Sequence, residues 1–182
     1  APSWLALWER LNYGGQIRLR EGKVRLPKLQ APVQNISLEV DLFTGLAHLR
    51  RLQADIVGAQ AQAQGKLYVW PPSPQEDHWS GRLELGAQLP KLSLASLSKA
   101  LGLKVPLEGS LDTEVALEGD LKSPQAKGKL SSARVRLAEQ ELRNLEVAFN
   151  FKDRLLNIER LRAQAVGGQV EGDGYLLLEG SE

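Results

Sequence analysis

The sequence predicts an all-β protein, a long, curved, mostly antiparallel sheet folded into a U-shaped hydrophobic groove, with one or two short helices. Three observations carry this. Apolar residues recur with a period of two through most of the chain, which is the spacing that puts alternate side chains on opposite faces of a strand. One pattern of strands returns, so that Asn35, Leu46, Arg51, Leu52, Ala54, Val57, Gly58, Gln60, Gly65 and Leu67 reappear in order as Asn144, Leu155, Arg160, Leu161, Ala163, Val166, Gly167, Gln169, Gly174 and Leu176, a constant offset of 109 positions. Helical periodicity is confined to two short stretches, too little to cover the apolar face of so many strands.

Residues 144–178 show the pattern most clearly. Leu145, Val147, Phe149 and Phe151 alternate with Glu146, Ala148 and Asn150. Beyond the turn at Lys152-Asp153-Arg154, Leu156 and Ile158 continue the same face, and Leu161, Ala163 and Ala165 resume it with parity shifted by one. A bulge near Glu159-Arg160 produces that shift. Gly167-Gly168 turns the chain, and Val170, Gly172, Gly174, Leu176 and Leu178 return to the apolar side. In the earlier copy Ile36, Leu38, Val40 and Leu42 take the places of the first four, and Leu49 followed by Leu52 repeats the shift.

Taken in order, Ser3 is placed to cap a short helix over Trp4, Leu7, Trp8 and Leu11, ended by Asn12-Tyr13-Gly14-Gly15. It either closes one end of the core or lies on a membrane surface. Strands are expected over Gln16 to Leu19 and Lys23 to Leu26, before the first repeat unit. The third strand of that unit, Ala59 to Trp70, turns Ala61, Ala63, Gly65, Leu67 and Val69 one way and Gln60, Gln62, Gln64, Lys66 and Tyr68 the other. Pro71 to His78 reads as a loop over a sheet edge, and strand pattern resumes with Ser80 to Leu85. Leu94, Leu97 and Leu101 recur at helical spacing between Ser93 and Gly102, a short helix. Strands then run from Gly109 to Leu117, with Leu111, Val115 and Leu117 inward, and from Ala126 to Leu137, with Leu130, Val135 and Leu137 inward. The organisation is one groove segment over 1–182, with repeat units at about 24–70 and 133–178 and a helix-bearing connection at about 80–130.

A run of strands with one apolar face can close into a barrel, pack as a sandwich, or curl along its length into a trough. Small residues on the apolar face and the sustained repeat favour the trough. Both terminal strands are then open edges unless further repeats pair with them, so the chain is expected to be a piece of a longer protein, as is its opening on Ala1-Pro2 without methionine.

Composition narrows the function classes. There is no cysteine, which excludes disulfides, thiolate metal sites and cysteine nucleophiles. Lys and Arg number 23 against 22 Asp and Glu, a net charge of +1, which argues against a nucleic-acid partner. No apolar run is long enough to cross a bilayer. His48 and His78 lack ligand spacing to a carboxylate cluster, and Asp173 between glycines lacks the regular nonapeptide of a calcium repeat. Arg50, Arg51, Arg160 and Arg162 make a basic spot common to both units, either a solvated outer face or a contact for lipid head groups. No phosphate loop, serine triad or paired-carboxylate motif is present, so no enzyme activity, cofactor or metal is expected.

The stretches Leu156 to Gly174, Leu107 to Leu130 and Leu92 to Leu103 resemble the repeats of the TamB and AsmA-like family of diderm bacteria, and the likeness extends over nearly all the chain beyond about Gly15. It is one of glycine-punctuated amphipathic strands, without an invariant motif, and the Pro71 to Ser80 loop and the tryptophan-bearing start depart from it. The resemblance implies a half-pipe in the periplasm, part of a protein anchored in the inner membrane and reaching toward the outer one. It implies phospholipid acyl chains along the apolar interior, membranes at both ends, an outer-membrane barrel-assembly partner and a role in outer-membrane biogenesis. An alternative it also implies is a scaffold that holds β-strands of barrel proteins or autotransporters during assembly. It supplies no residue-specific site. The lining expected from alternation consists of Ile36, Leu38, Val40, Leu42, Leu67 and Val69 in the first half. Val115, Leu117, Val135 and Leu137 follow, then Leu145, Val147, Phe149, Phe151, Ile158, Val170, Leu176 and Leu178. Ordinary core of a closed sandwich is the competing reading of these positions.

Overall fold

The computed structural model describes residues 14–25, 31–70, 80–100, 102 and 106–177. They form a single ten-stranded sheet in which every strand pairs antiparallel with its neighbours in sequence, in the order β1 to β10. The strands are β1 (Gly14–Val24), β2 (Val33–Phe43), β3 (Leu46–Ile56), β4 (Ala59–Trp70) and β5 (Ser80–Ser93), then β6 (Leu107–Asp120), β7 (Gln125–Leu137), β8 (Gln140–Lys152), β9 (Leu155–Ala165) and β10 (Gly168–Leu177). One helix, α1 (Leu94–Ala100), interrupts the meander. The expected class, a long antiparallel sheet with a short helix, is the one the chain adopts.

The barrel and the sandwich are excluded among the described residues. β1 and β10 each have a single strand partner, and no strand approaches any strand but its sequence neighbours to within 8 Å between Cα atoms. The chain exposes 13176 Å² for a mass of 20.0 kDa, whereas a compact monomer of that mass exposes about 8700 Å². Among the described residues the least exposed hydrophobic one, Ala163, is small, and no large side chain is fully buried.

The two repeat units share their register throughout. Val40 pairs with Leu49 and Leu49 with Gly65; 109 positions on, Phe149 pairs with Ile158 and Ile158 with Gly174. Arg50 and Arg51, between Leu49 and Leu52, stand opposite a single residue of β4, and Glu159 and Arg160, between Ile158 and Leu161, opposite a single residue of β10, one extra residue in each case, so the bulges expected at both places are present. A second pair of irregularities was not anticipated. Asn35 and Asn144 both take a left-handed backbone (φ 52° and 49°), a conformation asparagine tolerates better than other side-chain-bearing residues. The side chain of each reaches across to the next strand, Asn35 Nδ2 donating to Asp55 Oδ2 at 2.5 Å and Asn144 Nδ2 to Gln164 Oε1 at 3.1 Å. Asp55 and Gln164 are themselves 109 apart, so the tie is copied with the strand it secures.

These bulges keep one face apolar. At Val33–Ile36, Leu49–Leu52, Leu89–Leu92, Leu142–Leu145 and Ile158–Leu161 two exposed residues separate two that are at least half-buried. Strict alternation would turn the second of each pair outward, and the extra residue restores it to the apolar side.

Several boundaries differ from expectation. The segments Gln16–Leu19 and Lys23–Leu26 are not two strands: β1 runs unbroken to Val24, carried past a left-handed Glu21 by a register shift. β5 extends through the bulge at Pro90-Lys91 to Ser93, which then begins α1, its Oγ accepting the Ser96 amide at 3.2 Å. A left-handed Gly102 follows α1, which among the described residues packs against β5 and β6. The expected helix at Trp4 to Leu11 and the loop at Pro71 to His78 lie outside the described residues, as do Leu26 and Leu178.

Candidate functional site

Pairing places the expected lining residues in rows that run across the strands. One row is formed by Ile17, Val40, Leu49, Gly65, Leu85, Leu117, Ala126, Phe151, Leu156 and Leu176, one residue from each of the ten strands. The row beside it passes from Leu19 through Leu38, Leu52, Ala63, Ala87, Val115, Gly128, Phe149 and Ile158 to Gly174. A shorter one joins Leu130, Val147, Leu161 and Gly172, and Leu42 pairs with Ala47, which pairs in turn with Leu67. Val69 faces Gly81, Ile36 faces Gly22, Leu145 faces Ser132 and Val170 faces Ala163. Val135 is paired with Leu142 and buried, whereas Leu137, at the end of its strand, is 45% exposed.

The face is shaped by what is missing from it. Phe149 lies over Gly128, where a Cβ would come within 2.4 Å of the ring. At Gly65 a Cβ would stand 2.2 Å from the Glu84 carbonyl oxygen and 2.7 Å from Leu85 Cα, so β4 and β5 approach there more closely than any side chain permits. The chemistry available is nonpolar contact, spread over many residues.

The other face carries charge. Asp41, Arg50 and Gln16 join β1, β2 and β3: the Arg50 guanidinium and the Gln16 amide, the latter at 3.0 Å, both donate to the Asp41 carboxylate, which is buried. In the second unit Asn150 stands for Asp41 and Glu159 for Arg50, and Asn150 Nδ2 donates to Glu159 Oε1 at 2.6 Å. The bulge residue is thus hooked to the preceding strand in both copies, once by an ion pair and once by an amide and a carboxylate. The expected basic spot is partly neutralised, since Arg50 is held by Asp41 and Arg162 by Glu171 at 3.1 Å. His48 stands in a row between Asp41 and Lys66.

Burial pushes the Asp41 carboxyl up; hydrogen bonds from Arg50 and Gln16, with the charges of Arg50 and His48, outweigh it, and the pKa falls below the ordinary 3.8. A carboxyl depressed on folding adds stability that is present above its unfolded pKa and lost as pH falls through the folded one. Asp41→Asn is therefore expected to lower the urea midpoint at neutral pH by an amount that shrinks below about pH 4. A difference that stays constant across that range would assign the acid sensitivity elsewhere, with Glu141, which Arg143 and Arg134 hold below its usual range, as the next candidate.

A depression of about 810 Å³ is lined from both parities, by Leu52, Ala63, Ala87, Val115, Gly128 and Phe149 of the second apolar row and by charged-face residues on either side of them, among which Gly86, Ala116 and Ala148 are small. The sequence signal was small residues on the polar parity, which alternation of apolar residues does not register. A second feature missed is aromatic: Tyr68 and Trp70 stack at 6.3 Å with their planes 12° apart, and Trp70 is 47% exposed. Among the described residues no group of three or more His, Cys, Asp or Glu is arranged to hold a metal ion, and no helix is long and apolar enough to cross a membrane.

Comparison with family models, with curated proteins and with solved structures finds no match for this chain.

Proposed function

We propose that this chain is a periplasmic segment of a TamB/AsmA-like bridge protein, anchored elsewhere in the inner membrane, whose apolar face carries phospholipid acyl chains toward the outer membrane and so supports outer-membrane biogenesis. The observation behind this reading is the pair of apolar rows crossing all ten strands with, among the described residues, no second layer over them. Such a face has a use only if something apolar comes to it. An acyl chain suits it because each methylene removed from water contributes about 0.8 kcal/mol wherever along the row it lies, without any residue having to recognise it. The head group stays in water, and Phe149, Phe151, Val40 and Leu42 offer the largest contact areas.

The test is photo-crosslinking. Crosslinkers at Val40, Phe149 and Leu176 are expected to capture phospholipid from vesicles, identified by mass spectrometry, and those at Glu146 and Gln62 on the opposite face are not. Equal capture from both faces, or none from the apolar one, would remove the proposal.

A further inference from the structure

We infer that the charged face over β4 and β5 binds a glycan, an uncharged, β-linked chain of pyranose rings that lies along β4 from Gln62 to Trp70. The aromatic pair carries this. Tyr68 and Trp70 hold their planes 12° apart with ring centroids 6.3 Å from each other, and Trp70 is 47% exposed on the side of the sheet that otherwise bears charge. A pyranose has a face of C–H groups, which packs on the π-face of Tyr or Trp, and a rim of hydroxyls, each both donor and acceptor. The groups that suit the rim follow on the same strand. The amides of Gln64 and Gln62 are exposed, and Gln88 stands beside Gln62 on β5. Among the described residues none of the three is held by another side chain. Gln62 to Trp70 spans about 27 Å at the rise of a strand, room for an oligosaccharide rather than a single sugar.

Beside this strip the sheet leaves room. The 810 Å³ depression and a second of about 490 Å³ share Gln64, Gly86 and Ala116, all three of charged-face parity, so the two meet on that side. Gly86 is paired on both sides, with Gln64 and with Ala116, in the interior of the sheet. Nothing in the fold requires glycine there. Its φ is not left-handed, and a Cβ would meet only the Gln64 carbonyl oxygen at 4.0 Å, whereas at Gly65, Gly81 and Gly128 it would come within 2.2, 2.5 and 2.4 Å of a neighbour. A strand glycine without such a contact lets a ligand approach the backbone. Charge decides the class of ligand. Cations and anions face each other in cross-strand pairs around the depressions, Lys66 with Glu84 and Lys129 with Glu114, so neither a polyanion nor a polycation is favoured over an uncharged, hydroxyl-rich chain. The β-linked form is the extended one, matching the run of a strand. This inference concerns the charged face and does not depend on what the apolar face carries.

The experiment is isothermal titration of the 182-residue protein with cellohexaose and chitohexaose, both uncharged and β-linked, and with maltohexaose, which is α-linked. At least one β-linked hexamer is expected to bind, more tightly than maltohexaose. Trp70→Ala, and Gly86→Leu, which puts a side chain into the shared depression, are each expected to weaken binding by about tenfold or more, and Gln64→Ala by about threefold or more. Glu146→Ala, on the same face four strands away, is expected to bind as the unaltered protein does. Circular dichroism is expected to be alike for all four, since Trp70, Gln64 and Glu146 are exposed and the new side chain at 86 enters open space. No binding of either β-linked hexamer, unaltered affinity in Trp70→Ala or Gly86→Leu, or maltohexaose bound as tightly would each overturn the inference. So would binding to phosphatidylglycerol vesicles that needs Trp70 while neither hexamer binds, which would give the aromatic pair to a membrane surface.

Discussion

Gly65→Ala is expected to lower stability by about 1–3 kcal/mol, the range for forcing an added methyl into filled space. Gly174→Ala, at the equivalent place 109 residues later, is expected to be neutral or to raise stability by up to about 1 kcal/mol. The local sequences do not distinguish them, since both glycines sit on the apolar parity of the last strand of a unit. The difference lies in the neighbour. At 65 the new Cβ would meet the backbone of Glu84 and Leu85, which cannot rotate away as a side chain can, so β4 and β5 must part and lose ladder bonds around that point. At 174 the Cβ enters open space, and alanine restricts the unfolded chain more than glycine does. Urea denaturation of the two variants gives the answer, and two midpoints shifted equally in the same direction would contradict it.

Leu117→Glu is expected to reduce acyl-chain binding by about tenfold or more, measured by displacement of a fluorescent fatty acid. Leu117 lies midway along the first apolar row, between Leu85 and Ala126. A carboxylate there must either lose its water to a bound tail or keep the tail away. Because no second layer covers the row among the described residues, the charge is expected to remain solvated in the empty protein and the circular dichroism spectrum to be unchanged. Ala116→Glu, one residue along on the opposite face, is the control and should bind as the unaltered protein does. If the two variants bind alike, the acyl-chain reading is wrong.

Much of the sheet was legible from residue order. The strand Ala59–Trp70 has the bounds that its alternation implied, and the bulge at Arg50-Arg51 was readable because Leu49 and Leu52 break the period of two. The same spacing of two apolar residues three apart stands at Val33–Ile36, Leu89–Leu92 and Leu142–Leu145, where the extra residue is an asparagine in two and lies beside Pro90 in the third, residue types that also favour turns and so blur the signal. Glu21 misled in the opposite direction: a left-handed residue inside a continuous strand looked like a break between two.

Residue order by itself determined which side of each strand is apolar, because a side chain's face follows from its parity and from the bulges that reset it. It determined too that two units would share one register. Only the tertiary structure decided whether that apolar side is closed, and among the described residues it is not: ten strands pair in simple succession and β10 is not brought to β1. The same arrangement decided that Gly65 is pressed against a neighbour and Gly174 faces open space. The physical reason is that strand pattern specifies what a face would gain by being covered, whereas closure depends on the accumulated geometry of all ten strands, which no single stretch of residues encodes.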